Sequence, residues 1–203
     1  MSRARRAVLA LAVAFVATCA VALPTASAAD VVLPFQNYQV GGSLTVKKLD
    51  QSITLPSGSS FNGSANLTQG TLAGHVAIPE FTSTIRVLGF PTHVTTKLEE
   101  AQPVQGTVKV DPNFTTHIRS TTSAILRIKK LRLGLLSVPT TCRTASPVVL
   151  TLNYDGPFAF PINFNGTATI PPLTGCGLLG PTLGTLLSGP GNAYHVTLSP
   201  PAG

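Results

Sequence analysis

The sequence predicts an all-β fold, mainly antiparallel, arranged as a sandwich, barrel or curled sheet. Three observations point there. Only 10% of the 203 residues are charged while 43% are apolar, so Thr, Ser, Asn and Gln must supply the polar surface. With Val and Ile, those residues suit a pleated, half-buried face better than a helix. Apolar and polar residues also alternate over many short runs, which is the period of a strand. Turn chemistry separates the runs: Pro56-Ser57-Gly58, Gln69-Gly70, Asp111-Pro112-Asn113, Asp155-Gly156-Pro157, and Asn-Gly at 62–63 and 165–166.

Taken in order, the predicted strands begin with Asn37–Leu49, which alternates around Tyr38, Val40, Leu44 and Val46. Gln51–Leu55, Ser60–Leu67, Thr71–Ile78, Phe81–Leu88, His93–Glu99 and Val104–Val110 follow, then Thr115–Ser120 and Ser123–Leu133. Ile125–Leu136 fits a helix nearly as well as a strand, and the surrounding Thr, Ser and Ile favour the strand. Val148–Tyr154, Ala159–Phe164, Gly166–Ile170 and Tyr194–Leu198 complete the set. One short Leu/Gly-rich helix is expected near the C-terminus. There Leu178, Leu179, Leu183, Leu186 and Leu187 share a helical face, Pro181 suits a first turn, and Gly189-Pro190 makes a stop.

Residues 1–29 read as a removable signal peptide. Arg3, Arg5 and Arg6 precede an apolar run, Ala7–Leu23, and Ala26-Ser27-Ala28 supplies a small-residue cleavage site. Val16-Ala17-Thr18-Cys19 also admits lipid attachment at Cys19, although Cys19 sits inside the apolar run and is followed by more apolar residues. Residues 30–203 are then one β-rich domain, secreted or otherwise extracytoplasmic. No run in it approaches the ~20 apolar residues of a membrane-spanning helix. Cys142 and Cys176 remain in that domain, and an even pair in an exported chain predicts a disulfide.

Charge is unevenly placed. Residues 30–108 carry four Lys or Arg against five Asp or Glu; residues 109–143 carry seven against Asp111 alone; beyond them only Asp155 is charged. The densest part, Arg127-Ile128-Lys129-Lys130-Leu131-Arg132, interleaves cations with aliphatics. As a regular strand it would place Arg127 and Lys129 on one face, Lys130 and Arg132 on the other. Such a stretch, with Arg119 nearby, suits an anionic lipid headgroup or an acidic envelope polymer. The competing reading is a solvated strand whose lysines guard against aggregation. Nucleic acid is a poor partner, because the segment has no aromatics for stacking.

Four short motifs recur in the same order. Leu44–Leu49 matches Leu126–Leu131, Phe61–Ala65 matches Phe164–Ala168, Ile78–Thr82 matches Ile170–Thr174, and His93–Thr95 matches His195–Thr197. They raise the expectation of two pseudo-symmetric halves; the alternative is strand-and-turn chemistry repeating itself. Leu44–Leu49, Ile170–Pro181 and Gly189–Pro200 also resemble uncharacterised secreted proteins of high-GC Gram-positive bacteria, over most of the chain beyond residue 29. That resemblance implies export and no particular activity, so it assigns no functional residue.

The search for chemistry is largely negative. No nucleophile elbow, zinc-protease helix motif, phosphate-binding loop or dinucleotide fingerprint occurs. Glu99 and Glu100 are adjacent on a strand and so face opposite ways. Asp50, Asp111 and Asp155 sit beside turn residues, and His75, His93, His117 and His195 lie at no metal-ligand spacing. No catalytic residue, metal or cofactor is therefore expected. The leading expectation is a non-enzymatic secreted or envelope protein holding an apolar or amphipathic ligand inside a curled sheet. Arg119, Arg127, Lys129, Lys130 and Arg132 would meet a headgroup, and Leu183 and Leu187 would close the mouth. The alternative is a structural or adhesive surface module with no small-molecule ligand.

Overall fold

The computed structural model describes residues 29–87, 89–134 and 136–201. The expected signal peptide, with Cys19, lies outside the described residues apart from Ala29. The fold is all-β: a single antiparallel sheet that curls without closing, with one short helix near the C-terminus.

The strands are β1 (Val32–Val46), β2 (Gln51–Thr54), β3 (Ser60–Asn66), β4 (Thr71–Ala77), β5 (Phe81–Val87) and β6 (Phe90–Val110). β7 (Thr115–Leu133), β8 (Leu136–Thr144), β9 (Val148–Pro157), β10 (Ile162–Ile170) and β11 (Leu173–Thr174) follow. A 3₁₀ turn over Gly177–Leu179 leads into α1 (Gly180–Leu187), and β12 (Gly189–Ser199) ends the order. Neighbours run β10-β12-β1-β3-β4-β6-β7-β8-β11, with β2 on β1, β5 on β6 and β9 on β7.

Where strands were expected to break, several continue. His93–Glu99 and Val104–Val110 are one strand, β6, because Ala101–Pro103 is absorbed by register shifts instead of a turn. Pro103 cannot donate to a ladder, and a bulge is where a strand tolerates that loss. Thr115–Ser120 and Ser123–Leu133 likewise merge into β7. Asn165-Gly166 is not a turn but the middle of β10. β8 and β11 were not foreseen. Pro139 and a register shift between Ile128 and Lys130 obscure the alternation of β8, and β11 has two residues.

β6 and β7 are long enough to take different partners along their lengths, and this divides the sheet into two ends. Toward one end β6 pairs with β4 and β7 with β9; toward the other β6 pairs with β5 and β7 with β8. The first end encloses an aromatic core that includes Phe35, Phe61, Phe164 and Tyr194. The second encloses an aliphatic core that includes Val46, Ile85, Ile128 and Leu131, covered by Leu183 and Leu187 of α1. Cys142 of β8 is disulfide-bonded to Cys176, just ahead of the 3₁₀ turn, and both are buried in that second core. Leu178, expected on the buried helical face, is instead fully exposed, because it falls on the 3₁₀ turn before α1 begins.

At the first end β9 and β10 lie side by side without a hydrogen-bonded ladder. A side-chain hydrogen bond joins β9 to the β10–β12 ladder. Tyr194 of β12 stands opposite Gly166 of β10, and its phenol donates to the Thr151 carbonyl of β9. A Cβ on residue 166 would lie 2.3 Å from that phenolic oxygen. The glycine is therefore required by the tyrosine passing over it, not by a turn.

Two of the four repeated motif pairs do not share equivalent places in the sheet. Phe61–Ala65 lies in β3, between β1 and β4, whereas Phe164–Ala168 lies in β10, which ladders with β12. Leu44–Leu49 ends a strand and enters a turn, whereas Leu126–Leu131 is the interior of β7.

Candidate ligand cavity and charged end

Inside the curl lies an apolar cavity of about 140 Å³. A smaller one of about 70 Å³ shares Val40, Val76, Leu152 and Val196 with it and continues toward Phe35 and Phe61. Strand alternation explains the lining. Thr122, Ala124 and Leu126 of β7 stand on the same face as Leu150 and Leu152 of β9, and Val40 and Leu44 come from β1. The β4–β6 ladder ends at the Gly74–Val104 pair, and Val76, Ile78, Leu98 and Glu100 line the cavity along the break beyond it.

Glu100 is the exposed member of that lining. One carboxylate oxygen accepts the Val76 backbone N–H at 2.9 Å, and the other lies 2.8 Å from His75 Nδ1. The side chain thus stands in for the missing ladder, satisfying a backbone donor that would otherwise be orphaned. Leu183 and Leu187 do not line this cavity; both pack in the second core.

The basic stretch is reshaped by a bulge. Thr95 pairs with Lys130 and Thr96 with Ile128, so Lys129 is the extra residue. Ile128 and Leu131 are buried, while Lys129, Lys130 and Arg132 are all exposed and Arg127 is half-buried. The two-faced distribution expected of a regular strand is therefore replaced by one. The aliphatics point in and the cations stand on the outside, on the opposite surface from the cavity.

These cations differ in their partners. Arg119 sits at the first end, bound through both carboxylate oxygens of Asp155 at 2.7 and 2.8 Å and to the Tyr154 carbonyl. Arg127 bonds Glu99 at 2.5 Å, and Lys97 adds a second cation to that carboxylate at 3.5 Å. Partial burial pushes the Glu99 carboxyl up, but Arg127 and Lys97 together outweigh it and hold it below the usual range. Among the described residues no carboxylate lies within ion-pair reach of Lys129, Lys130, Arg132 or Arg143.

Folding concentrates charge beyond what the sequence displays. Lys109 and Arg119 go to the first end with Asp30, Asp111 and Asp155. Lys47, Lys48, Arg86 and Lys97 join Arg127, Lys129, Lys130, Arg132 and Arg143 at the second, against Asp50, Glu80 and Glu99, and Glu100 lies between the two ends. Sequence order could not show this, because β1, β5 and β6 deliver their cations only through the pairing.

The four histidines are dispersed over the outer surface. His93 bonds Thr84, and His195 bonds Asn165, each directly across a ladder, so these two do not meet. His117 is held between Asp155 at 2.5 Å and Asp111 at 3.0 Å. Those hydrogen bonds raise its pKa above the ordinary 6.5, while Arg119 first and His117 second hold Asp155 below 3.8. Each group at this site has its donors and acceptors matched, which is the arrangement of a structural ion network. The cavity lining was not identifiable in the sequence, since Leu150, Val76 and Val196 look like any other strand aliphatics.

Searches against protein-family models, curated proteins and solved structures found no match to this chain.

Proposed function

We propose that this protein is an exported, non-enzymatic binding protein that holds a small apolar molecule, or the end of an alkyl chain, within its curled sheet. The observation supporting it is the cavity. It is apolar almost throughout, is bounded by a break in the ladder, and meets solvent beside one carboxylate. Its volume of about 140 Å³ compares with cavities that accept benzene, and lies below the ~300 Å³ at which drug-sized ligands begin. A whole lipid is too large for it; a short chain is not. Export is supported by the basic-apolar-small order of residues 1–29 and by the Cys142–Cys176 disulfide.

The second reading, a structural or adhesive module without a ligand, draws on the modest size of the cavity. Mass spectrometry of an organic extract of the purified protein, with calorimetric titration by hexanol and octanol, separates the two. The binding reading expects an extracted apolar compound or saturable alcohol binding. Ala124→Leu, which adds bulk to the lining, should abolish either. A clean extract with no alcohol binding to folded protein sinks the binding reading in favour of the module.

A further inference from the structure

We propose that the second end of the sheet docks onto an anionic lipid bilayer through Phe90 and the exposed cations beside it. Val87 pairs with Phe90, Leu133 with Leu136, and Thr92 with Leu133, so the β5–β6 and β7–β8 turns lie side by side at one end of the ladder. Phe90 is 67% exposed there. Arg86, Lys130 and Arg132 stand exposed immediately behind it, and none has a carboxylate within ion-pair reach among the described residues. The Gln51 carboxamide holds the Arg86 backbone through both its N–H and its carbonyl. That bond places the β1–β2 turn at the same end, with exposed Lys47 and Lys48 outnumbering Asp50.

An exposed aromatic tip backed by unneutralised cations matches the two layers of a bilayer surface. The aromatic enters the boundary between headgroups and acyl chains, and the cations meet the phosphates. A soluble polyanion satisfies the cations but offers no apolar phase for Phe90. A second copy of the same face would bring like charges together. The opposite end also exposes an aromatic, Phe114, at 80%, but Asp111 lies three residues away in the same turn and Asp155 is close by on β9. Charge therefore selects the second end. This docking does not depend on the cavity having a ligand.

Co-sedimentation of the purified protein with vesicles of equal parts phosphatidylcholine and phosphatidylglycerol, and with phosphatidylcholine alone, tests it. The protein should pellet with the anionic vesicles only, and less as salt is raised. Phe90→Ser should weaken association about tenfold. The double variant Arg86→Gln/Arg132→Gln should weaken it about 25-fold, at roughly fivefold per cation, and Phe114→Ser should leave it unchanged. All of these residues are exposed, and thermal melts verify that each variant folds. Failure of the folded protein to pellet with anionic vesicles would overturn the proposal. Loss of binding in Phe114→Ser with retention in Phe90→Ser would do so as well. Full competition by soluble polyphosphate, with Phe90→Ser indistinguishable from wild type, would assign the cations to a polymer and reject the bilayer.

Discussion

The two ends of this sheet solve the same problem by different means. Both must hold together a curled sheet whose edges do not meet. At the first end the edges β9 and β10 come alongside, and a phenol passing over a glycine bridges them. The interior behind that bridge is aromatic and keeps a cavity. At the second end the gap is filled by a short helix whose leucines enter the core, and the chain leading to it is bonded covalently to β8. The gap closed by single side chains has the cavity behind it, and the one closed by a packed helix and a disulfide has the aliphatic core behind it. The end with the cavity is thus the candidate for holding something, and the disulfide-bonded end is the one that carries the unneutralised charge.

The largest effect expected from breaking this contrast lies at the disulfide. The bridge joins residues 34 apart, and the chain-entropy account gives about 4 kcal/mol for a loop of that size. Cys142→Ser with Cys176→Ser should lower unfolding free energy by roughly that amount, as measured by urea denaturation. Leu187→Ala, which removes a buried side chain from the same core, should cost about 3 kcal/mol. α1 has only eight residues, two of them glycine, and cannot persist without its docked leucines. Hydrogen exchange should therefore quicken around β8, β11 and α1 in both variants, while β3, β4 and β12 change less. Uniform acceleration across all strands would show that the two ends unfold as one unit.

A smaller effect is expected at the seam. Tyr194→Phe removes a hydrogen bond to a backbone carbonyl and should cost about 1 kcal/mol. Gly166→Ala forces a Cβ into the space of the phenol and should cost about 2 kcal/mol. In the double variant Gly166→Ala/Tyr194→Phe the penalties should fall somewhat short of additive, because the second change removes the closest clashing atom, the oxygen, while Cζ, 2.6 Å from the added Cβ, stays. Full additivity, measured in the same denaturation experiment, would mean that the two side chains do not share one space.

The fold class was legible because composition and alternation act locally, residue by residue, and each strand displays them. What could not be read were features that depend on a distant partner. Asn165-Gly166 has the chemistry of a turn, and only Tyr194, nearly thirty residues away, explains a glycine inside β10. The Lys129 bulge is invisible without β6 and β8 beside it, yet it decides which way four cations face. Leu183 and Leu187 were correctly read as a buried helical face, but periodicity says only that they face a core, not which one. The cavity was the least legible feature, since empty space is defined by how seven strands curve and not by any residue type.

The smallest effect expected concerns the ion network at the first end. His117 lies between Asp155 and Asp111, whose hydrogen bonds raise its pKa above 6.5; its contribution is therefore complete below about pH 6.5 and fades as pH rises through the raised value. Asp155, held below 3.8 by Arg119 and His117, contributes above about pH 3.8 and loses that contribution as pH falls through its lowered value. The network is consequently at full strength between those two limits. All three side chains are a third or more exposed, so solvent screens the effect and the shift in melting temperature should be slight. Comparing wild type with His117→Gln, the difference should be greatest near about pH 5 and shrink toward about pH 9, where neutral imidazole and amide differ little. A difference that stays constant across that range would show that His117 acts there by packing and not by charge. The same comparison at the Cys142–Cys176 end should show no such dependence, because neither sulfur of a disulfide titrates.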